Sequence, residues 1–281
     1  MSKGRIVMTV SDIEPTVDSV NRDTKHGAAY ISVRALEVLR NRAALDEVWE
    51  ALAKAAVSLI EGHPDMAVLA NRLNRVMYQS KESRSARAVA EHAQSLIERA
   101  IADDEAASEH AAKLVAGRAV LTLSRSGTVF DALCMAEPKP TSVAVAESHP
   151  GGEGVGVAKR LTQLGLWVTL VPDAAVVPLV EARQVDLVLI GADSFHPSGA
   201  VVNKVGSKAA ALAARQAGIP FYVVAATDKL RVEVDHDVVD PIFETVPAEA
   251  VAGIVTERGV LQPNDLETLA AELKELSAWR S

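Results

Sequence analysis

The stretch VDLVLIGADSFHPSGAVVNKVGS, residues 185–207, runs apolar and then places a carboxylate, Asp193, where the run stops. A carboxyl at a strand end can carry protons for a bound substrate, or it can simply cap a turn or the next helix. Further on, Asn203, Lys204, Gly206 and Ser207 stand just before a helical pattern. They offer an amide, an ammonium and free backbone N–H groups, a set that suits a phosphate, although a surface lysine is more often only solvated. LSRSGT, residues 123–128, puts Ser124, Arg125, Ser126, Gly127 and Thr128 between a strand-like run and a helical one. That is a second hydroxyl-rich and amide-rich cradle for an anion. ESHPGGEG, residues 147–154, adds Glu147, His149 and a glycine loop after another strand-like run. VPDAA places Asp173 at a further strand end, where a helix N-cap is the expected role.

Two kinds of sequence must position these groups. From about Ala28 to Val115, Ala, Leu and Val recur at helical spacing among scattered charges, which predicts a helical domain over residues 1–116. From residue 117 to 281 short β-branched runs (RAVLTL, TSVAVAE, WVTLVPD, VDLVLIGAD, PFYVVAAT) alternate with helical stretches. Strands buried on both faces read as continuous apolar runs, and helices of this length are their usual crossovers. The expected fold is therefore α/β: an N-terminal helical domain followed by a Rossmann-like parallel sheet with helices on both faces. The final segment, PAEAVAGIVTERGVLQPNDLETLAAELKELSAW, reads as a helix, a Gly-containing turn and a second helix. In an open parallel sheet, ligands sit beyond the carboxyl ends of the strands, where Asp193 falls.

The formal net charge of −8, spread without a basic stripe, argues against direct nucleic-acid or anionic-membrane binding and favours small metabolites or proteins as partners. One cysteine, Cys134, excludes an internal disulfide, and no apolar stretch reaches the ~18–20 uncharged residues of a membrane span, so a cytoplasmic protein is expected. GGEGVGVAKRL invites a dinucleotide reading, with Asp173 downstream as a ribose contact. Its glycines have the wrong last spacing and begin several residues after the strand instead of in the first tight turn, which disfavours that reading and leaves no cofactor expected.

Several of these motifs carry a family resemblance. GADSFHPSGAVVNKVGS resembles a GAD…NGAVxNKIGT signature, AESHPGGEG an ESRPxxEG signature, HPDMAVLANRLNRVM (63–77) an RPTxVxLxNAxxRV motif and KHGAAYIS (25–32) an RGAxxIA motif. FETVPAEAVAGIVTERGVL is similar to the C-terminal segment of the same superfamily. That superfamily contains the alpha, beta and delta subunits of eukaryotic translation initiation factor 2B, methylthioribose-1-phosphate isomerase and archaeal ribose-1,5-bisphosphate isomerase. The resemblance implies a helical domain packed on a Rossmann-like one, a homodimer or larger homo-oligomer, and a phosphorylated pentose or nucleotide as ligand. It further implies Asp193 as a general acid/base, with Asn203, Lys204, Arg125, Ser126, Gly127, His26, Gly27, His63, His149 and Glu153 as ligand contacts.

Two departures bear on function. The isomerases' T-H-C motif falls on Thr122, Leu123 and Ser124, so the position of the second acid/base group holds a hydroxyl, which ionises far less readily than a thiol. Cys134 lies on the order of 10 Å down the following helix and reads as a small buried side chain. Where the isomerases carry Arg, this chain has His26, His63 and His149. Imidazole titrates near ~6.5 and donates at most twice, so a phosphate grip through these positions would be weaker and pH-dependent. The chain can accordingly be a diverged isomerase using Asp193 and Ser124, or a non-catalytic regulatory member that contacts a translation factor. A third alternative makes the histidines and Asp193 ligands of a divalent metal.

Overall fold

The structure, a computed structural model, describes residues 14–23, 26–232 and 241–280. Helices α1 (Val17–Asn21), α2 (Ala28–Ala44), α3 (Trp49–Gly62), α4 (Ala67–Ser80) and α5 (Ala86–Val115) precede the first strand. Their apolar stripes, among them Leu36, Leu39, Leu52, Leu59, Leu73, Val76 and Met77, close one core with no sheet in it. Helix α5 is 30 residues long, and its Ser85 cap accepts the Ala88 amide. Its first half joins that core through Val89, Ala93 and Leu96, and its second half lies on the sheet through Ala107, Ala111 and Val115.

The remainder alternates: β1 (Ala119–Thr122), α6 (Gly127–Met135), β2 (Ser142–Ala146), α7 (Glu153–Gln163), β3 (Val168–Val171), α8 (Val176–Glu181) and β4 (Leu187–Ile190) come first. Then follow β5 (Ser194–Phe195), β6 (Val201–Lys204), α9 (Ser207–Ala217), β7 (Phe221–Val224), β8 (Phe243–Val246), β9 (Gly253–Thr256), β10 (Gly259–Leu261) and α10 (Pro263–Glu275). Seven strands form one sheet in the order β10-β9-β7-β4-β1-β2-β3, parallel except for β10. Leu187 and Leu189 of β4 face the layer of α5, α6 and α7, while Val188 and Ile190 face that of α8, α9 and α10. Both faces of the strand are therefore apolar, as its unbroken apolar run requires. The α/β fold expected from the sequence is the one found.

One expectation is overturned. The segment that reads as helix, turn, helix has instead a single 3-10 turn, Ala248–Ala250, followed by the β9–β10 hairpin, and its α-helix is confined to the second part, α10. Ile254, Val255, Thr256 and Val260 are β-branched, and Gly259 takes the turn at φ 93°, so the segment adds two strands beside β7. A second, antiparallel sheet of β5, β6 and β8 is a further departure from the expected layout. The chain's last turn, Leu276–Arg280, returns to the helical layer, where Trp279 donates to Asn74 Oδ1 at 3.0 Å and meets Trp49 edge to face.

Candidate active site at the sheet's carboxyl edge

Asp193 follows β4 and is tied to β6 by its amide, which donates to the Val202 carbonyl at 3.0 Å. It is partly exposed yet deep: burial raises its carboxyl above the ordinary value, opposed by the charges of Lys229 and Lys204. The carboxyl thus loses solvation and still keeps accessible surface. Lys229 belongs to the short turn Thr227–Lys229 after β7, the neighbour of β4 in the sheet, and its Nζ donates to the Ala192 carbonyl at 2.6 Å. Sequence reasoning misses Lys229, although its place just past a parallel strand's carboxyl end is an available signal.

Lys204 ends β6 buried, and its Nζ donates to Glu153 Oε1 at 3.0 Å. Burial works against ionisation of Glu153, but the Lys204 hydrogen bond, its own backbone amide and the charges of Lys204 and Arg125 hold it below the usual carboxylate range. The motif containing Asp193 and the glycine loop are thus joined by an ion pair. Asn203 Nδ2 donates to Ser207 Oγ at 2.9 Å, and that hydroxyl donates to the Lys204 carbonyl at 2.6 Å. The amide expected to touch ligand therefore spends one donor on shaping the turn into α9.

The LSRSGT cradle stands beside Asp193. A Cβ on Gly191 would lie 2.6 Å from Ser126 Oγ, so only glycine lets the two loops approach this closely. Ser126 caps α6 by accepting the Val129 amide and also bonds Thr128, Gly127 opens the helix, and Arg125 is exposed. Ser124 has φ 62° and Ser148 φ 64°, and the Ser124 amide donates to Ser148 Oγ at 2.6 Å. Two left-handed non-glycine residues meeting at the ends of β1 and β2 are the kind of strain that collects at ligand sites. The Ser124 hydroxyl has no hydrogen-bond partner among the described residues.

Asp173 is not the plain N-cap expected. Its carboxylate accepts the Ser148 amide at 2.7 Å and the His149 amide at 2.8 Å and so fixes the loop after β2. Both oxygens thereby serve the loop's own backbone.

The three histidines have separate partners. His26 Nδ1 lies 2.7 Å from Asp23 and its ring stacks on Tyr30, His63 Nε2 bonds the Val20 carbonyl at 2.8 Å, and His149 pairs with Glu147 at 3.4 Å. Gly27 caps α2 without a side chain to offer. Among the described residues no group of three or more His, Cys, Asp or Glu side chains is arranged to hold a metal ion. The metal alternative therefore loses its ligand set. Cys134 sits half-buried against the core, and burial, reinforced by Asp131, pushes its thiol up to about 11. It is no substitute for an acid/base thiol at the Ser124 position.

The sequence profile of the Initiation factor 2 subunit family matches residues 24–240 of the chain. The chain belongs to that family. It is 31% identical over 274 residues to a ribose 1,5-bisphosphate isomerase of Archaeoglobus fulgidus, covering 84% of this chain and 85% of that one. It is 34% identical over 161 residues to a methylthioribose-1-phosphate isomerase of Heliobacterium modesticaldum, covering 47% of each. A solved structure of the Pyrococcus horikoshii OT3 translation initiation factor eIF-2B superposes with a TM-score of 0.77 at 25% identity, covering 89% of this chain and 97% of that one. No helix among the described residues of this family member is long and apolar enough to cross a membrane.

The displaced titration of Asp193 has a measurable consequence. Its native pKa lies above its unfolded one, so the native state holds the extra proton between the two values and stability falls as pH rises through that window. Asp193→Asn removes the cost of a buried charge and is expected to melt higher than the parent at pH 7. The difference should shrink as pH falls towards the ordinary carboxylate value near ~4. Thermal melts of both proteins from pH 3 to pH 8 check this.

Proposed function

We propose that this chain binds a phosphorylated pentose, free or as part of a nucleotide, between the carboxyl edge of its sheet and its helical layer, and that Asp193 moves protons on the bound sugar. The observation that carries this reading is Asp193 itself: a partly exposed carboxyl at the end of β4, raised above its ordinary value by burial, with the charges of Lys229 and Lys204 acting on it. Aldose–ketose isomerisation of a ribose 1-phosphate opens the ring, takes a proton from C2 and returns one to C1. A carboxyl poised closer to neutrality suits that exchange better than one at its ordinary value. Arg125, the amides that open α6 and Lys204 are the phosphate-facing groups, with His26, Gly27, His63 and His149 at the outer contacts. Ser124 is the second acid/base position. Its hydroxyl has no hydrogen-bonded base among the described residues, which makes turnover slow. The same observation favours a second reading, a regulatory member that senses the ligand and passes the signal to a protein partner. Assembly as a homodimer or larger homo-oligomer and a cytoplasmic location belong to this proposal.

The test is ³¹P NMR of ribose 1,5-bisphosphate and of 5-methylthioribose 1-phosphate incubated with the parent and with Asp193→Asn. Slow conversion of one of them, lost in Asp193→Asn by about 10²–10⁴-fold, is the expected result. Rapid conversion that survives Asp193→Asn would overturn the assignment of Asp193. Tight binding with no conversion would select the regulatory reading.

A further inference from the structure

Helix α4 reaches across from the helical layer to grip the turn that carries Lys229. Asn71 Nδ2 donates to the carbonyls of Asp228 and Leu230, each at 2.8 Å, and Arg72 Nε donates to Asp228 Oδ2 at 3.2 Å. Arg75 adds a contact to Asp228 Oδ1 at 3.4 Å, and Ser32 of α2 accepts from Arg72 Nη1 at 2.8 Å. Asn71, Arg72 and Asp228 are all buried, Arg72 being only 2% exposed. Buried charges persist where they are paired, and here the pairs join two layers of the molecule through the residue next to Lys229. On its other side the turn is held by Glu257, whose carboxylate accepts the Thr227 amide at 3.0 Å as well as its hydroxyl.

We propose that the Asn71–Arg72–Arg75 face of α4 is a positioning device for Lys229, which by docking on Asp228 holds the ammonium on the carbonyl that precedes Asp193. The links are two ion pairs, one step along the chain and one hydrogen bond. Arg72 and Arg75 fix Asp228, Asp228 precedes Lys229, and the Lys229 ammonium is anchored on the carbonyl adjoining Asp193. Other charges face the same place: Lys204 from β6 acts on Asp193, while Asp104 of α5 is raised by burial and feels Arg72, Lys229, Asp228 and Glu257. Lys229 thus serves carboxyls from both layers. This inference rests on the proposed role of Asp193 for its functional meaning, but its test does not.

The test is a carboxyl-carbon NMR titration of Asp193 in protein labelled at aspartate, with the resonance assigned through Asp193→Asn and no ligand present. Lys229→Met removes the facing charge and should move the Asp193 titration to higher pH, since a nearby opposite charge is worth about 1–3 pH units. Asp228→Asn and Arg75→Gln leave Lys229 in the chain but loosen its turn, and should move the same titration in the same direction by a smaller amount. Arg72→Lys, which keeps the charge but not the Ser32 and Asp228 geometry, should fall between the parent and Asp228→Asn. Folded Asp228→Asn and Arg75→Gln variants that titrate Asp193 at the parental pH while Lys229→Met shifts it would overturn the positioning role. An unshifted Lys229→Met would overturn it too. Neither result depends on whether a sugar phosphate binds, so failure here and failure of the proposed function are separate outcomes.

Discussion

Arg72→Met is expected to lower the free energy of unfolding by about 3–5 kcal/mol. The substitution keeps the apolar stem but leaves Asp228, itself buried, with the longer 3.4 Å contact to Arg75 as its charged partner among the described residues. A buried carboxylate without compensation loses most of its hydration and regains little, which is why breaking one side of such a pair is so much worse than never having built it. Arg75→Gln should be milder, since Arg75 keeps partial access to water and its contact is longer. Urea denaturation of the two variants and the parent, compared at constant slope, measures the difference. A loss below about 1 kcal/mol for Arg72→Met would mean that water or a neighbour takes over the carboxylate, and that the clasp between the layers is weak.

The second large effect is a gain. Ser124→Cys is expected to raise turnover of a phosphorylated pentose by about 10²-fold, the lower range for a positioned acid/base group. The backbone at this position is already turned by φ 62° and fixed by the Ser148 hydroxyl, so a thiol placed there inherits the orientation of the serine hydroxyl. Because a thiol ionises near ~8.5, the gain should grow as pH rises towards that value, whereas the parent should show no such limb. Initial rates of both proteins from pH 6 to pH 9 decide it. A folded Ser124→Cys variant no faster than the parent would place the missing partner elsewhere.

The parts of this molecule that are legible in its sequence are those where one physical demand dominates. A strand sandwiched between two helical layers must be apolar on both faces, so β1, β2, β4 and β7 announce themselves as apolar runs, and Asp193 stands out as the polar residue that ends one. β9 and β10 are harder to read. Ala248, Ala250 and Ala252 lead into them, the charged pair Glu257 and Arg258 divides them, and together these residues mimic helical spacing that only docking beside β7 resolves. Lys229 and Asp104 escape sequence reasoning because their importance lies in which elements the fold brings together: one sits on a three-residue turn and the other midway along a long helix. The polar residues Asn71, Arg72, Asn74 and Arg75 inside the apolar rhythm of α4 are the available sign that this helix docks on something charged.

Whether a phosphate sits at Lys204 is settled by calorimetric titration of ribose 1,5-bisphosphate into the parent protein and into Lys204→Met at pH 8. The buried Lys204 ammonium, paired with Glu153 and facing Asp193, is the cation assigned here to the phosphate. Saturable binding to the parent is expected, with a loss of affinity of about tenfold or more in a folded Lys204→Met variant, each tenfold being about 1.4 kcal/mol. Equal affinity in the two proteins, or no binding to the parent at millimolar ligand, would contradict that assignment.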